Sequence, residues 1–196
     1  MLTKKQRVLK RLFDLLLSIL LLPIIIIPML VFLLIASIST AKNGLFVQAR
    51  IGYEGETFNL YKIRSLKGKS HHDIVAIKNS ETAFGRWLRK TKLDELPQIF
   101  NVLEGTMSWV GPRPDIPGYA DQLVGEDKMI LKVKPGITGP ATLKYRNEDA
   151  LLLEQVDPLK YNDEVIWPDK VNINKQYITH WSLSKDIKYL FNSVFN

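Results

Sequence analysis

Two adjacent carboxylates, Asp94 and Glu95, stand in the stretch Thr91-Lys92-Leu93-Asp94-Glu95-Leu96-Pro97-Gln98. An Asp-Glu pair offers oxygen ligands suited to magnesium, and a carboxylate is one of the ordinary nucleophiles of covalent catalysis. Proline is tolerated only in the first turn of a helix, so Pro97 predicts a helix beginning at about Leu93 to Leu96. Leu96, Ile99, Phe100 and Leu103 give it an apolar stripe, and Gly105 is a plausible terminator. The pair then lies at a helix N-terminus, where free N–H groups and the macrodipole favour anions. Arg86, Arg89, Lys90 and Lys92 precede it. The plainer role for Asp94 is that of an N-cap.

Other charged residues stand where they can meet phosphate. Phe46 to Ile51 and Thr57 to Arg64 read as a β-hairpin around Gly52-Tyr53-Glu54-Gly55-Glu56. In its second strand Phe58, Leu60, Lys62 and Arg64 share one face by period two. The two cations there can bind phosphate or simply mark a wet edge. A strand-like run from Gly105 ends in Gly111-Pro112-Arg113-Pro114, whose prolines rigidly present Arg113, the side chain with the planar fork that grips phosphate. Val133 to Pro140 reads as a Gly/Pro loop whose glycines allow close approach to a ligand, though it is neither a Walker A loop nor a dinucleotide fingerprint. Ala141 to Arg146 follows it. His71-His72 lacks a partner at metal-ligand spacing and His180 is alone, so no zinc site is expected.

The elements that must hold these residues are those of one domain, since 196 residues are too few for two comfortable ones. Thr82 to Lys90 and Tyr119 to Leu131 suggest helices. Asp149, Glu154, Asp157, Asp163 and Glu164 read as a solvated face. A further helix carries Leu183, Ile187, Leu190, Phe191 and Val194, with Ser182 or Ser184 as its cap. A net charge of +7 points to anionic partners, and the absence of cysteine excludes disulfides and thiolate metal sites. No DNA- or RNA-binding motif is present, and no nucleic-acid partner is expected.

Mean hydropathy is near zero, yet Leu12 to Ile38 is apolar apart from Asp14, Ser18 and Ser37. A straight helix of that length is roughly 40 Å long, against a bilayer core of about 30 Å. Pro23 and Pro28 interrupt it, and Leu12 to Leu22 alone reaches only about 16 Å. Lys4, Lys5, Arg7, Lys10 and Arg11 flank one end, Lys42 and Arg50 the other, and the positive-inside tendency keeps both flanks cytoplasmic. A re-entrant helix–break–helix, broken at Pro23, satisfies both flanks. A single crossing is the alternative, because spanning helices tolerate proline. Asp14 is expected to pair with Arg11 or Lys10 on its own helix.

Five segments in this order carry a resemblance: Arg11-Leu12-Phe13-Asp14; Tyr61-Lys62-Ile63-Arg64-Ser65; Leu88 to Gln98; Met107-Ser108-Trp109-Val110-Gly111-Pro112-Arg113-Pro114; and Val133-Lys134-Pro135-Gly136-Ile137-Thr138-Gly139. Over nearly its whole length the chain resembles the small monotopic phosphoglycosyl transferases, the bacterial sugar transferase family. The resemblance implies an α+β, mainly helical fold. Residues 1–40 would form the re-entrant membrane helix and its basic flank. Residues 41–196 would form a compact cytosolic catalytic domain with a β-hairpin and interfacial helices, on the cytoplasmic face of the bacterial inner membrane. It implies transfer of a phosphosugar from a UDP-sugar to polyprenol (undecaprenyl) phosphate, with magnesium and release of UMP. Asp94 would be the nucleophile that becomes a phosphosugar-carrying aspartate. Glu95 would help hold magnesium with it, or act as base. Lys62, Arg64, Arg89, Arg113 and Arg146 are the candidates for phosphate and uridine contacts, and a homodimer is compatible with all of this.

The chain departs from the family pattern in two places. Leu22-Pro23 stands where Ser-Pro is usual at the membrane break, and Pro140-Ala141-Thr142 follows Gly139 in place of a Trp or Leu and then Ala-Gln. The competing reading is a non-catalytic membrane adaptor whose basic face binds anionic lipid or a partner.

Overall fold

The computed structural model describes residues 1–68 and 80–195. The fold is mainly helical with two small sheets. Its elements are α1 (Lys4–Thr40), β1 (Leu45–Ile51), β2 (Thr57–Ile63), α2 (Ala83–Thr91), α3 (Gln98–Glu104), β3 (Ser108–Val110), β4 (Gly136–Thr138), α4 (Pro140–Lys144), α5 (Glu148–Leu153), α6 (Pro158–Tyr161), α7 (Trp167–Thr179) and α8 (Leu183–Phe195). His71 and His72 lie outside the described residues.

Helix α1 is one helix, with Pro23 and Pro28 inside it, where the sequence predicts an interruption at Pro23. Each proline removes one backbone donor and crowds the carbonyl four residues earlier, which bends a helix without having to end it. The segment is long and apolar enough to cross a membrane, and only 11% of its most apolar stretch is buried. Leu16, Ile19, Leu20, Ile24, Ile27, Leu30, Leu34 and Ile38 are exposed, so the protein's own core does not cover this apolar face.

The chain folds into two compact units. One comprises Leu15–Gln48 and Asn59–Glu104. Its core joins Met29 and Ala36 of α1 to Ile63 of β2 and Leu88 of α2, with Phe32, Leu33, Phe84, Leu93, Leu96 and Phe100 packed around them. Helix α2 starts as expected, with the Thr82 hydroxyl accepting from the Gly85 N–H at 2.8 Å. Gly105, at φ +88°, follows the last residue of α3, as a terminator should.

The other unit comprises Met1–Asp14, Ala49–Phe58 and Gly105–Asn196. Its core gathers Val110, Ile130, Val133, Val171, Tyr177, Ile178 and Trp181. Strands β3 and β4 pair in parallel, with Ser108 opposite Gly136 and Val110 opposite Thr138. The expected Gly/Pro loop therefore contains a strand, and its glycines meet chain rather than ligand. A Cβ on Gly136 would lie 2.1 Å from the Gly111 nitrogen, and one on Gly139 2.3 Å from the Gly111 oxygen. The stretch Tyr119 to Leu131 is not α-helical: it forms 3-10 turns at Ala120–Gln122 and Gly125–Lys132. Helix α8 begins after Ser182, whose hydroxyl accepts from the Lys185 N–H at 3.4 Å.

Polar groups are buried in this second core. Asp186 of α8, fully buried, accepts from Lys10 Nζ at 2.6 Å, the Tyr177 hydroxyl at 2.8 Å and Trp181 Nε1 at 3.0 Å. Asp14 accepts from the Ser108 hydroxyl at 3.0 Å and the Trp109 N–H at 3.1 Å. The ion pair of Lys10 is therefore with Asp186, and Asp14 binds β3 instead of serving only its own helix.

Candidate active site

Asp94 and Glu95 are presented by a short turn between two helices. Helix α2 ends at Thr91, and Lys92 caps it in the left-handed region at φ +58°, its N–H donating to Arg89 and Leu88 oxygens. A side chain in that conformation is strained by roughly 1–2 kcal/mol. Leu93–Glu95 then form one 3-10 turn, and α3 follows from Gln98. The expected helix start is thus split, with Pro97 just before α3. Leu93 and Leu96 bracket the carboxylates and pack into the core, which fixes the turn from both sides.

Both carboxylates are buried, Asp94 to 6% exposure and Glu95 to 8%. Lys62 Nζ donates to Glu95 Oε1 at 3.0 Å and stands 4.0 Å from Asp94 Oδ2. Asp94 Oδ1 is buried with no hydrogen-bond partner. Burial raises the Asp94 carboxyl above the usual carboxylate range. Lys62 opposes this, Glu95 reinforces it, and Arg89 and Lys92 act with Lys62. The lysine is near enough to lower the value but does not offset the loss of water.

Lys62 is held in place by a residue the sequence reading passed over. Asn101 of α3 is fully buried; its Nδ2 donates to the Asn59 oxygen at 2.8 Å and its Oδ1 accepts from the Tyr61 N–H at 3.1 Å. These two bonds fasten α3 to β2 directly beside Lys62. A polar amide among Ile99, Phe100 and Leu103 was the available signal. Glu81 was also missed: it accepts from Arg89 Nε at 2.9 Å and lies 3.6 Å from Arg86 Nε. Arg89 is thereby anchored while still acting on Asp94.

Of the remaining expected phosphate ligands, Arg64 and Arg146 make contacts within the protein. Arg64 Nε donates to the Asn43 oxygen at 2.7 Å, and its guanidinium lies 5.2 Å from the centre of the Phe46 ring, so it braces the start of β1. Arg113 and Arg146 belong to the other unit. Arg146 Nη2 donates to the Asn192 and Ser193 oxygens at 3.2 and 3.1 Å, capping the C-terminal carbonyls of α8. Arg113 is exposed on the loop after β3. Near it, Asp115 is raised to about 6 by burial, against Lys170, Arg50 and Arg113, with Glu148 adding to the rise.

Among the described residues no group of three or more His, Cys, Asp or Glu side chains converges as a metal cage. Two neighbouring carboxylates, one with an unpartnered buried oxygen, nevertheless suit a magnesium ion that takes one or two carboxylates and completes its shell from phosphate and water.

Residues 5–196 match the family described as bacterial sugar transferase. The chain belongs to that family. Among other bacterial sugar transferases, it is 36% identical over 196 residues to the UDP-glucose:undecaprenyl-phosphate glucose-1-phosphate transferase of Escherichia coli, an alignment covering 96% of this chain and 40% of that protein. It is 33% identical over 189 residues to the uncharacterized sugar transferase EpsL of Bacillus subtilis, covering 93% of this chain and 84% of the relative. It is 34% identical over 197 residues to the undecaprenyl-phosphate glucose phosphotransferase of Komagataeibacter xylinus, covering 94% and 35% respectively. The chain therefore spans well under half the length of two of these three family members.

Proposed function

We propose that the protein is a phosphoglycosyl transferase that moves a phosphosugar from a UDP-sugar to polyprenol phosphate, through a covalent intermediate on Asp94. The observation that carries this reading is the Asp94 carboxylate, buried, with one oxygen unpartnered, beside Lys62 and Glu95. Membership of a family with undecaprenyl-phosphate sugar phosphotransferases among its named members supports it.

In the first step an Asp94 oxygen attacks the sugar-bearing phosphorus. The bond from that phosphorus to the bridging oxygen breaks, and UMP leaves with the electron pair. In the second step a phosphate oxygen of the polyprenol phosphate attacks the same phosphorus. The aspartyl ester bond breaks, the carboxylate is regenerated, and a polyprenyl diphosphosugar results. Two displacements through one carboxylate are ordinary covalent catalysis. Burial favours the attack, since a poorly solvated carboxylate has little water to shed. Lys62 supplies positive charge close to both carboxylates and stabilises the charge gathered on the phosphoryl group. Magnesium, held by Asp94 and Glu95, would neutralise diphosphate charge. Glu95 orients Lys62 through its 3.0 Å contact.

Helix α1 is read as re-entrant, with both flanks and the catalytic turn on the cytoplasmic side of the inner membrane. The basic residues at both ends of the helix and the two prolines inside it support this. Exposed apolar residues of α8, among them Ile187, Phe191 and Val194, suit a helix lying at the lipid interface.

The test is purified full-length protein with magnesium and a panel of UDP-sugars. Intact mass should rise by one phosphosugar with the right donor, and UMP should turn over only when polyprenol phosphate is added. Asp94→Asn should lose about a thousandfold or more in turnover. Normal turnover in that variant sinks the nucleophile assignment, and no UMP release from any donor favours the adaptor. Single cysteines at Thr3 and Lys42 should both escape a periplasmic thiol reagent; labelling of one alone means a single crossing.

A further inference from the structure

We propose that Tyr119, Trp167 and Asp163 form a pocket for an ammonium group, carried by a small amine or by a lipid headgroup. A cavity of about 400 Å³ opens between these three, Gly118, Gln122 and Leu123. That is room enough for a small organic cation. All six residues belong to one unit of the fold. The Tyr119 and Trp167 rings meet edge to face, with centroids 5.5 Å apart and planes at 71°, so they stand as two walls of a corner. Ring faces attract a cation within about 6 Å of the centroid, and the indole of tryptophan does so best.

Asp163 supplies a third side. Its Oδ1 accepts from the Tyr119 hydroxyl at 3.0 Å and from Asn162 Nδ2 at 3.1 Å. Asn162 Nδ2 also donates to the Tyr119 oxygen at 3.3 Å, so the three groups hold one another. Among the described residues none donates to Asp163 Oδ2, which leaves that oxygen for a ligand. The backbone is unusual at this point: Asn162–Ile166 form a π-helix leading into α7. Such widenings are rare and occur frequently at functional sites.

Charge separates a cation from the other small ligands that an aromatic corner can hold. The chain carries a net +7, yet among the described residues the only charged side chain lining this cavity is acidic. Asp121 stands beside the lining, accepting from the Gly118 N–H at 2.7 Å and from Gln122 Nε2 at 3.3 Å. An anion is therefore disfavoured here and a cation drawn in. Burial, and after it the hydrogen bond and charge of Asp163, push the Tyr119 hydroxyl above the usual tyrosine range, with Asp115 adding to the rise. The ring thus stays a neutral phenol and keeps its bond to Asp163. This binding does not depend on the transfer chemistry.

The experiment follows fluorine NMR of the full chain labelled with 5-fluorotryptophan, in a polyoxyethylene detergent that carries neither ammonium nor sugar. Of the four tryptophan signals, that of Trp167 is the one lost in Trp167→Phe. Choline chloride should shift it with half-saturation at about millimolar concentration, against sodium chloride at matched strength. The neutral isostere 3,3-dimethylbutan-1-ol should bind at least about tenfold more weakly. Asp163→Asn and Tyr119→Leu should each weaken choline binding about tenfold, while Tyr119→Phe, which keeps the ring, should stay within about threefold. An unmoved Trp167 signal overturns the site, as does unchanged binding in both Asp163→Asn and Tyr119→Leu. Equal affinity for the isostere, or tighter binding of methyl glucoside, overturns the ammonium assignment. Dihexanoyl phosphatidylcholine binding more tightly than choline points to a lipid headgroup; weaker binding points to a free amine, and both uphold the pocket. The signal of Trp181, in the core of the same unit, reports whether each variant is folded. Should Tyr119→Leu not fold, the comparison of choline with its isostere in the wild type still decides.

Discussion

Asp94 and Asp186 are both buried carboxylates, and they are treated in opposite ways. Asp186 has three donors, one of them an ammonium at 2.6 Å, and both of its oxygens are used. Asp94 has a lysine 4.0 Å from one oxygen and nothing on the other. A buried charge that is fully hydrogen-bonded behaves as a structural fastening; one left short of partners is costly, and cost of that kind concentrates where a protein needs reactivity. Burial alone does not tell the two apart. The count of donors does.

The contrast breaks most visibly if Asp186 is truncated. Asp186→Ala leaves Lys10 buried without its partner and should lower unfolding stability by about 3–5 kcal/mol, measured by denaturant titration in detergent. A loss below about 1 kcal/mol would mean that the triple contact is incidental. On the Asp94 side, Lys62→Met should cut turnover about a hundredfold, because the charge nearest both carboxylates is removed. It should also move the acid limb of the pH–rate profile to higher pH, since Lys62 is what lowers the Asp94 value. An unmoved limb would assign that limb to another group.

Asn101→Ala should cost about 1–3 kcal/mol by stranding the Asn59 carbonyl and Tyr61 N–H, and should raise the Michaelis constant for the donor as Lys62 loosens. The smallest effect sharpens the comparison most. The folded state binds a proton at Asp94 more tightly than the unfolded chain does, so this group's contribution to stability is lost as pH rises through its raised value. Asp94→Asn carries no such loss and should melt a few degrees above wild type at neutral pH. The gap should close as pH falls toward the ordinary carboxylate range. Asp186→Asn, by the same comparison, should melt lower than wild type.

Local signals made the turn that carries Asp94 and Glu95 legible in the sequence. Pro97 fixed where α3 could start, Thr82 and Gly105 marked helix ends, and the alternation in β2 put Lys62 among the candidates. What stayed hidden was set by distant contacts. Asp186 sits in Ser184-Lys185-Asp186-Ile187-Lys188, where nothing local separates a buried carboxylate from a solvated one. Arg146 faces the end of α8, an arrangement that sequence spacing does not encode. The Gly/Pro loop became β4 because parallel pairing depends on a strand 28 residues earlier, beyond the reach of a local pattern. The five-segment resemblance identified the family, yet it could not say that Arg64 would be spent on bracing a strand.

The core that holds the Leu93–Leu96 turn draws on Met29, Phe32, Leu33 and Ala36, side chains of the apolar helix itself. Any attempt to engineer a water-soluble version by deleting residues 1–40 would strip Ile63, Leu88, Leu93 and Leu96 of the helix side chains in their core. The expected product is an aggregating fragment rather than a free-standing enzyme, and the choice of amphiphile during purification becomes part of keeping the dyad in shape.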